Sequence, residues 1–182
     1  ENNNDKVVAY LDDFAVKTTV PTDDKDINTN FTKLVWSDEF DATGAINSNK
    51  WFHQTQLPAG GSWYNGEIQH YTNRTDNTYV ANGLLTIEAK KETYTNQGVT
   101  KNYTSARLNS KFAFTYGKVE VRAKLPTGGG TWPAIWMLGK NITEPGAYFQ
   151  THGFGTTPWP ACGEIDIMEH WGNNQNFVHF DI

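Results

Sequence analysis

An all-β fold, an antiparallel sandwich of the jelly-roll kind, is what this 182-residue sequence predicts. Three observations carry the prediction. No stretch keeps the 3.6-residue apolar period of a helix. Short runs of alternating apolar and polar residues recur, separated by Gly, Asn and Pro. Only 19% of residues are charged while 14% are aromatic, seven of them Trp, so polarity comes from Asn, Thr and Gly in turns rather than from charged helix faces.

The elements follow in order. Val7 to Val20 is β-rich and ends at the charged run Pro21-Thr-Asp-Asp-Lys-Asp26. One strand and a linker do not make a domain, so residues 1–26 are expected to be the end of an upstream module plus a linker, and residues 27–182 the main domain. Leu34-Val35-Trp36 reads as a strand entering the acidic turn Ser37-Asp38-Glu39-Phe40-Asp41. Gly60 to Tyr71 is a glycine-rich loop, and Trp63 and Tyr64 on it suit ligand contact. Thr78–Ala81 and Leu84–Ala89 flank Asn82-Gly83, the strongest short hairpin signal. Thr104–Phe112 and Lys118–Leu125 alternate around a turn at Tyr116-Gly117. Trp132–Leu138 reads as an apolar strand with Trp at both ends of one face. Asn141–Pro160 is a loop too long to be only a connection.

Composition excludes several functions. A net charge of −5 with no Lys/Arg cluster argues against nucleic acid. No apolar run is long enough to span a membrane. Cys162 is the only cysteine, so no intrachain disulfide is possible. The chain starts at Glu1 without a charged-then-apolar leader, as a mature secreted protein or an excised fragment would, and a secreted, extracellular, periplasmic or cell-surface location is expected.

The chemistry is concentrated in Gly163-Glu164-Ile165-Asp166-Ile167-Met168-Glu169-His170. Glu164 and Asp166 alternate with Ile165 and Ile167, so both acids face one way on a strand. Glu169, five residues after Glu164, should face the other way. A one-residue bulge near Met168 would turn it back, and bulges re-aim side chains beside active sites. The two Glu Cα atoms would then be roughly 13 Å apart at about 3.3 Å per residue. Side chains leaning together leave a gap on the order of 5 Å, the carboxyl separation of a retaining glycosidase. A solvated acidic edge or a calcium site is the plainer alternative, but like charges on one strand face cost stability.

The run Gly-Glu-Ile-Asp-Ile-Met-Glu, with Gly-Gly-Thr-Trp-Pro-Ala-Ile-Trp-Met-Leu and Tyr-Gly-Lys-Val-Glu-Val-Arg-Ala-Lys-Leu-Pro before it, closely resembles glycoside hydrolase family 16. The extra residue before the last Glu resembles its laminarinase branch, the endo-β-1,3-glucanases; agarases and carrageenases share that spacing. Trp-Ser-Asp-Glu-Phe, Asn-Gly-Glu-Ile-Gln-His-Tyr and Thr-Ser-Ala-Arg-Leu extend the likeness over about Leu34 to Asn176. The resemblance implies a jelly roll with a concave substrate-binding sheet, Glu164 as nucleophile, Glu169 as general acid/base and Asp166 assisting. It also implies that Trp132 and Trp136 stack sugar, that Arg107 and Asn65 bond sugar hydroxyls, and that Trp63 lines the cleft. A monomeric hydrolase of β-glucan polysaccharide is expected, needing no cofactor for catalysis. A structural calcium near Ser37 to Phe40 would need an Asp from a last strand, and family domains run well past this motif, so the C-terminal part of the domain is expected to be missing. Hydrolysis of a galactan and binding of β-glucan without catalysis are the alternatives. Few basic residues besides Arg107 are available for sulfate, and the Glu pair is present.

Overall fold

The computed structural model describes residues 6–18 and 31–182, with side chains in the first stretch described only for Ala15 and Val16. Among the described residues, twelve strands account for nearly all the regular structure. They are β1 (Lys6–Thr18), β2 (Lys33–Asp38), β3 (Trp51–His53), β4 (His70–Tyr71), β5 (Thr78–Ala81), β6 (Leu84–Asn96), β7 (Val99–Ser105), β8 (Leu108–Ser110), β9 (Lys118–Lys124), β10 (Ala134–Leu138), β11 (Glu164–Glu169) and β12 (His179–Asp181). One short helix, α1 (Tyr148–Thr151), interrupts the loop between β10 and β11, where the sequence predicts none.

A seven-stranded sheet runs β2-β1-β6-β7-β4, with β5 on β6 and β9 on β1. A three-stranded sheet, β10-β11-β12, carries the acidic stretch, and β3 and β8 pair separately. Residues 6–18, expected at the end of an upstream module, pair here with β2, β6 and β9 inside the large sheet. The remaining residues of that expected module and linker lie outside the described residues.

Local chemistry explains the main ladder. Asn82 and Gly83 both take positive φ, 55° and 74°, as a two-residue hairpin turn of the mirror-image type requires, and they close β5 onto β6. Gln97 and Gly98 repeat the device, at 52° and 75°, and return β6 into β7. The strand predicted over Thr104–Phe112 is broken after Ser105 and resumes as β8, and β10 begins at Ala134, leaving Trp132 outside it.

The core gathers Phe40, Ile46, Trp51, Val80 and Leu85, with Trp36 and Leu108 packed against it. Trp36 meets Trp51 edge to face at 5.4 Å between ring centroids and stacks on Phe112 at 5.9 Å. Asp38, buried at the end of β2, accepts from the Trp51 indole at 2.7 Å and from the Phe40 amide at 3.2 Å, and Lys50 Nζ lies 3.3 Å away. Its oxygens are thus engaged by protein donors in the segment that the resemblance marks for a possible structural calcium. Among the described residues, no group of three potential metal ligands gathers, and no helix is long and apolar enough to cross a membrane. A groove of about 550 Å³ lies between β9 and the β10–β11 pair, lined by Val119, Glu120, Val121, Ile135, Met168 and Val178 among others.

Candidate active site

The register between β10 and β11 places the three carboxylates. Ala134 pairs with Glu169, Trp136 with Asp166 and Leu138 with Glu164. Residues 134, 136 and 138 alternate regularly, so they share one face of β10, and their partners share that face of β11. The reason is a bulge. Ile135 pairs with Met168 and the next residue, Trp136, with Asp166, leaving Ile167 as the extra residue. The bulge expected from the five-residue spacing is therefore present, one residue earlier than Met168, and it turns Glu169 onto the face of Glu164 and Asp166.

Each glutamate is held by an indole. Trp132 Nε1 donates to Glu169 Oε1 at 3.0 Å, and Trp159 Nε1 donates to Glu164 Oε2 at 2.5 Å. Trp132 is 40% exposed and its ring lies 5.6 Å from that of Trp171, so its face stays open while its N–H is engaged. Burial, chiefly, and the charge of Asp166 push the Glu169 carboxyl above its ordinary range, while the Trp132 bond and His179 pull the other way. Burial also raises Asp166, with Glu164 and Asp181 adding like-charge repulsion; Asp181 sits opposite it on β12. His179 pairs with Glu169 across the same ladder, and its ring meets Trp171 edge-on at 4.2 Å. His170, directly after the last acid, is buried with Nδ1 2.9 Å from the Phe177 carbonyl, away from this chemistry.

A second cluster adjoins the carboxylates through Trp136. The Arg107 guanidinium lies over the Trp136 ring at 4.7 Å and over the Trp63 ring at 5.3 Å. Its Nη2 donates to both oxygens of Glu144, at 2.7 and 2.9 Å, with both side chains 10% exposed or less. Trp63 is only 3% exposed and also packs on Tyr71. It was expected to line the cleft, whereas here it backs Arg107, because a ring shut in by two neighbours offers no face to a sugar. Asn65 and Gly66, both at positive φ, form an exposed turn closed by the Glu67 amide on the Tyr64 carbonyl at 3.0 Å. Tyr64 stands close enough to Glu144 and Arg107 that both charges act on its hydroxyl, which burial raises most. The turn carrying Asn65 is thus placed beside the Arg107–Glu144 pair.

Glu144 and Trp159 were not anticipated, and both come from the long loop between β10 and β11. That loop is pinned by polar contacts. Fully buried Gln54 donates to the Pro145 carbonyl at 3.1 Å, and Asn109 Oδ1 accepts from the Tyr148 amide at 2.9 Å. Asn141 O accepts from the amides of Thr156 and Thr157 at 2.9 Å each, closing the loop's base. Lys140 sits over the rings of Phe154 and Phe149, at 3.8 and 5.3 Å.

A jelly-roll scaffold with three carboxylates on one bulged strand and aromatic side chains around them has the form of a polysaccharide-processing site. The chain belongs to glycosyl hydrolases family 16, whose profile matches residues 65–182. It is similar to a β-glucanase of Rhodothermus marinus, 47% identical over 150 residues, covering 81% of this chain and 46% of that protein. Among solved structures, the catalytic domain of LamA from Zobellia galactanivorans superposes with a TM-score of 0.77 at 58% identity, covering 82% of this chain and 60% of that one. The laminarinase catalytic domain of Thermotoga maritima gives 0.66 at 46% identity, over 80% and 54%. The chain therefore spans about half the length of the relatives it matches.

Proposed function

We propose that the protein carrying this chain is a secreted, monomeric endo-β-1,3-glucanase that cleaves laminarin-type glucan with retention of configuration. The observation that carries this reading is the bulge at Ile167, which puts Glu164, Asp166 and Glu169 on one face. The LamA relative has been crystallised, as a variant, with laminaritriose and laminaritetraose, which supports a β-1,3-glucan as substrate.

In this reading a Glu164 oxygen attacks the anomeric carbon as Glu169 gives its proton to the departing glycosidic oxygen. The bond to the leaving sugar breaks and an ester to Glu164 forms. Glu169, now ionised, takes a proton from water, which attacks the anomeric carbon, breaks its bond to Glu164 and frees the carboxylate. Burial and the neighbouring charge of Asp166 favour the protonated Glu169 that the first step needs. Trp132, open on one face beside Glu169, and Trp136, beside Asp166, are the sugar platforms. Arg107, held by Glu144 against the Trp136 ring, supports that platform from behind, and the exposed Asn65 turn meets sugar hydroxyls at the cleft's edge. No cofactor enters either step.

The full-length protein is assayed for reducing-sugar release from laminarin, mixed-linkage glucan, agarose and carrageenan, with proton NMR of the first product. Release from laminarin with the β-anomer formed first is expected. Activity on a galactan alone, or an α-anomer first, contradicts the reading.

A further inference from the structure

We infer that Trp159 is a positioning residue for Glu164: its indole N–H fixes one carboxylate oxygen so that the other faces the reacting carbon. This rests on the reading of Glu164 as nucleophile.

Five observations converge. The indole has a single donor and no acceptor, and that donor is spent on Glu164 Oε2. The ring is 63% exposed, so burial of its apolar face does not set its place. What sets it is backbone. The Cys162 amide donates to the Pro158 carbonyl at 3.2 Å and the Gly163 amide to the Pro160 carbonyl at 3.0 Å, folding the segment around Trp159 into tight turns. Gly139 then docks that segment through its amide on the Gly163 carbonyl at 3.2 Å, in an approach so close that a Cβ on Gly139 would lie 2.2 Å from the Cys162 oxygen. The farther part of the loop is anchored by the buried Arg107–Glu144 pair and by Gln54 and Asn109. Trp159 is therefore delivered to Glu164 by a braced segment.

The arrangement also divides labour between the two indoles. Trp132 engages Glu169, the group that must exchange a proton, while Trp159 engages Glu164, the group that must attack along one line. A carboxylate free to rotate about its terminal torsion presents the attacking oxygen only part of the time, and small misplacements at a reacting centre are costly. Loss of one hydrogen bond to a charged group corresponds to roughly a 10- to 100-fold drop in rate.

The test is made in the full-length protein. Trp159 is replaced by Phe, and separately by benzothienylalanine, which keeps the bicyclic ring and removes only the N–H. kcat and KM are measured on laminarin, together with the rate of covalent labelling by an activated 2-deoxy-2-fluoro β-glucoside. Both variants are expected to lose roughly 10- to 100-fold in kcat and in labelling rate, with KM and Tm unchanged. Unchanged kcat and labelling overturn the inference, as does a raised KM at full kcat, which marks a sugar platform only. If the Phe variant fails to fold, the benzothienyl variant decides. Glu164→Gln is run in parallel. Should it stay active, the nucleophile reading and this inference fall together; should it be inactive while the Trp159 variants keep full rate, only this inference falls.

Discussion

At the scale of single residues, the site is a balance of like charges. Asp166 lies between Glu164 and Glu169 in sequence and opposite Asp181 across the ladder, and its carboxyl is raised by burial first and by Glu164 and Asp181 after it. A carboxyl that binds its proton more tightly folded than unfolded contributes nothing unfavourable below its unfolded value, where both states are protonated. It costs stability progressively as pH rises through the window from that value to the raised one. The asparagine variant lacks this cost. Asp166→Asn in the full-length protein is expected to melt about 1–2 °C higher than the parent at pH 7, with the difference closing near pH 4. Melting curves at the two pH values check this; a difference that widens on acidification contradicts it. The triplet was legible because acids interleaved with Ile at a period of two have few other uses. Trp159 was not, because a hydrogen bond from a loop indole leaves no periodic trace, and neither was the burial of Trp63, since a Trp between a serine and a tyrosine on a glycine-rich loop reads alike whether it packs inward or outward.

At the scale of elements, the decisive feature is the extra residue in β11. The offset of five between Glu164 and Glu169 violates strand alternation, and that violation is what made the bulge readable in advance. Inserting one alanine between Ile135 and Trp136 gives Ile167 a partner, restores a regular ladder at unchanged β11 length and sends Glu169 to the other face. Laminarin hydrolysis is expected to fall at least about 1,000-fold, with folding preserved by circular dichroism; an insertion variant retaining a tenth of parental activity contradicts the role of the bulge. Elsewhere the reading was uneven for a physical reason. The β5–β6 hairpin was read from Asn82-Gly83, whose positive φ values few other pairs tolerate. The distal half of β6 and most of β7 were not, because Lys, Thr, Asn and Tyr there face water on a ribbon with little apolar alternation, and pairing rather than burial defines them.

At the scale of the molecule, the long loop couples the sheet edge to the carboxylates. Arg107, just before β8, meets Glu144 from the loop in a nearly dry setting and lies over Trp136, whose neighbour across the ladder is Asp166. The sequence marked Arg107 but not its partner 37 residues on, since such pairing depends on how the loop folds back. Removing one member of a buried pair leaves the other charge uncompensated and typically costs about 3–5 kcal/mol. Glu144→Gln is expected to lose about that much in urea unfolding of the full-length protein, and Arg107→Met/Glu144→Met distinctly less than the sum of the two single changes; additive losses would show that the pair is not coupled.

The central claim is that Glu164 becomes covalently bound to sugar while Glu169 moves the proton. The most direct measurement is mass spectrometry of peptides from the full-length protein after incubation with a 2-deoxy-2-fluoro β-laminaribiosyl fluoride. A glycosyl adduct mapped to Glu164, absent in Glu164→Gln and slow to turn over in Glu169→Gln, is the expected result. An adduct on any other residue, or steady turnover with Glu164 replaced, contradicts it.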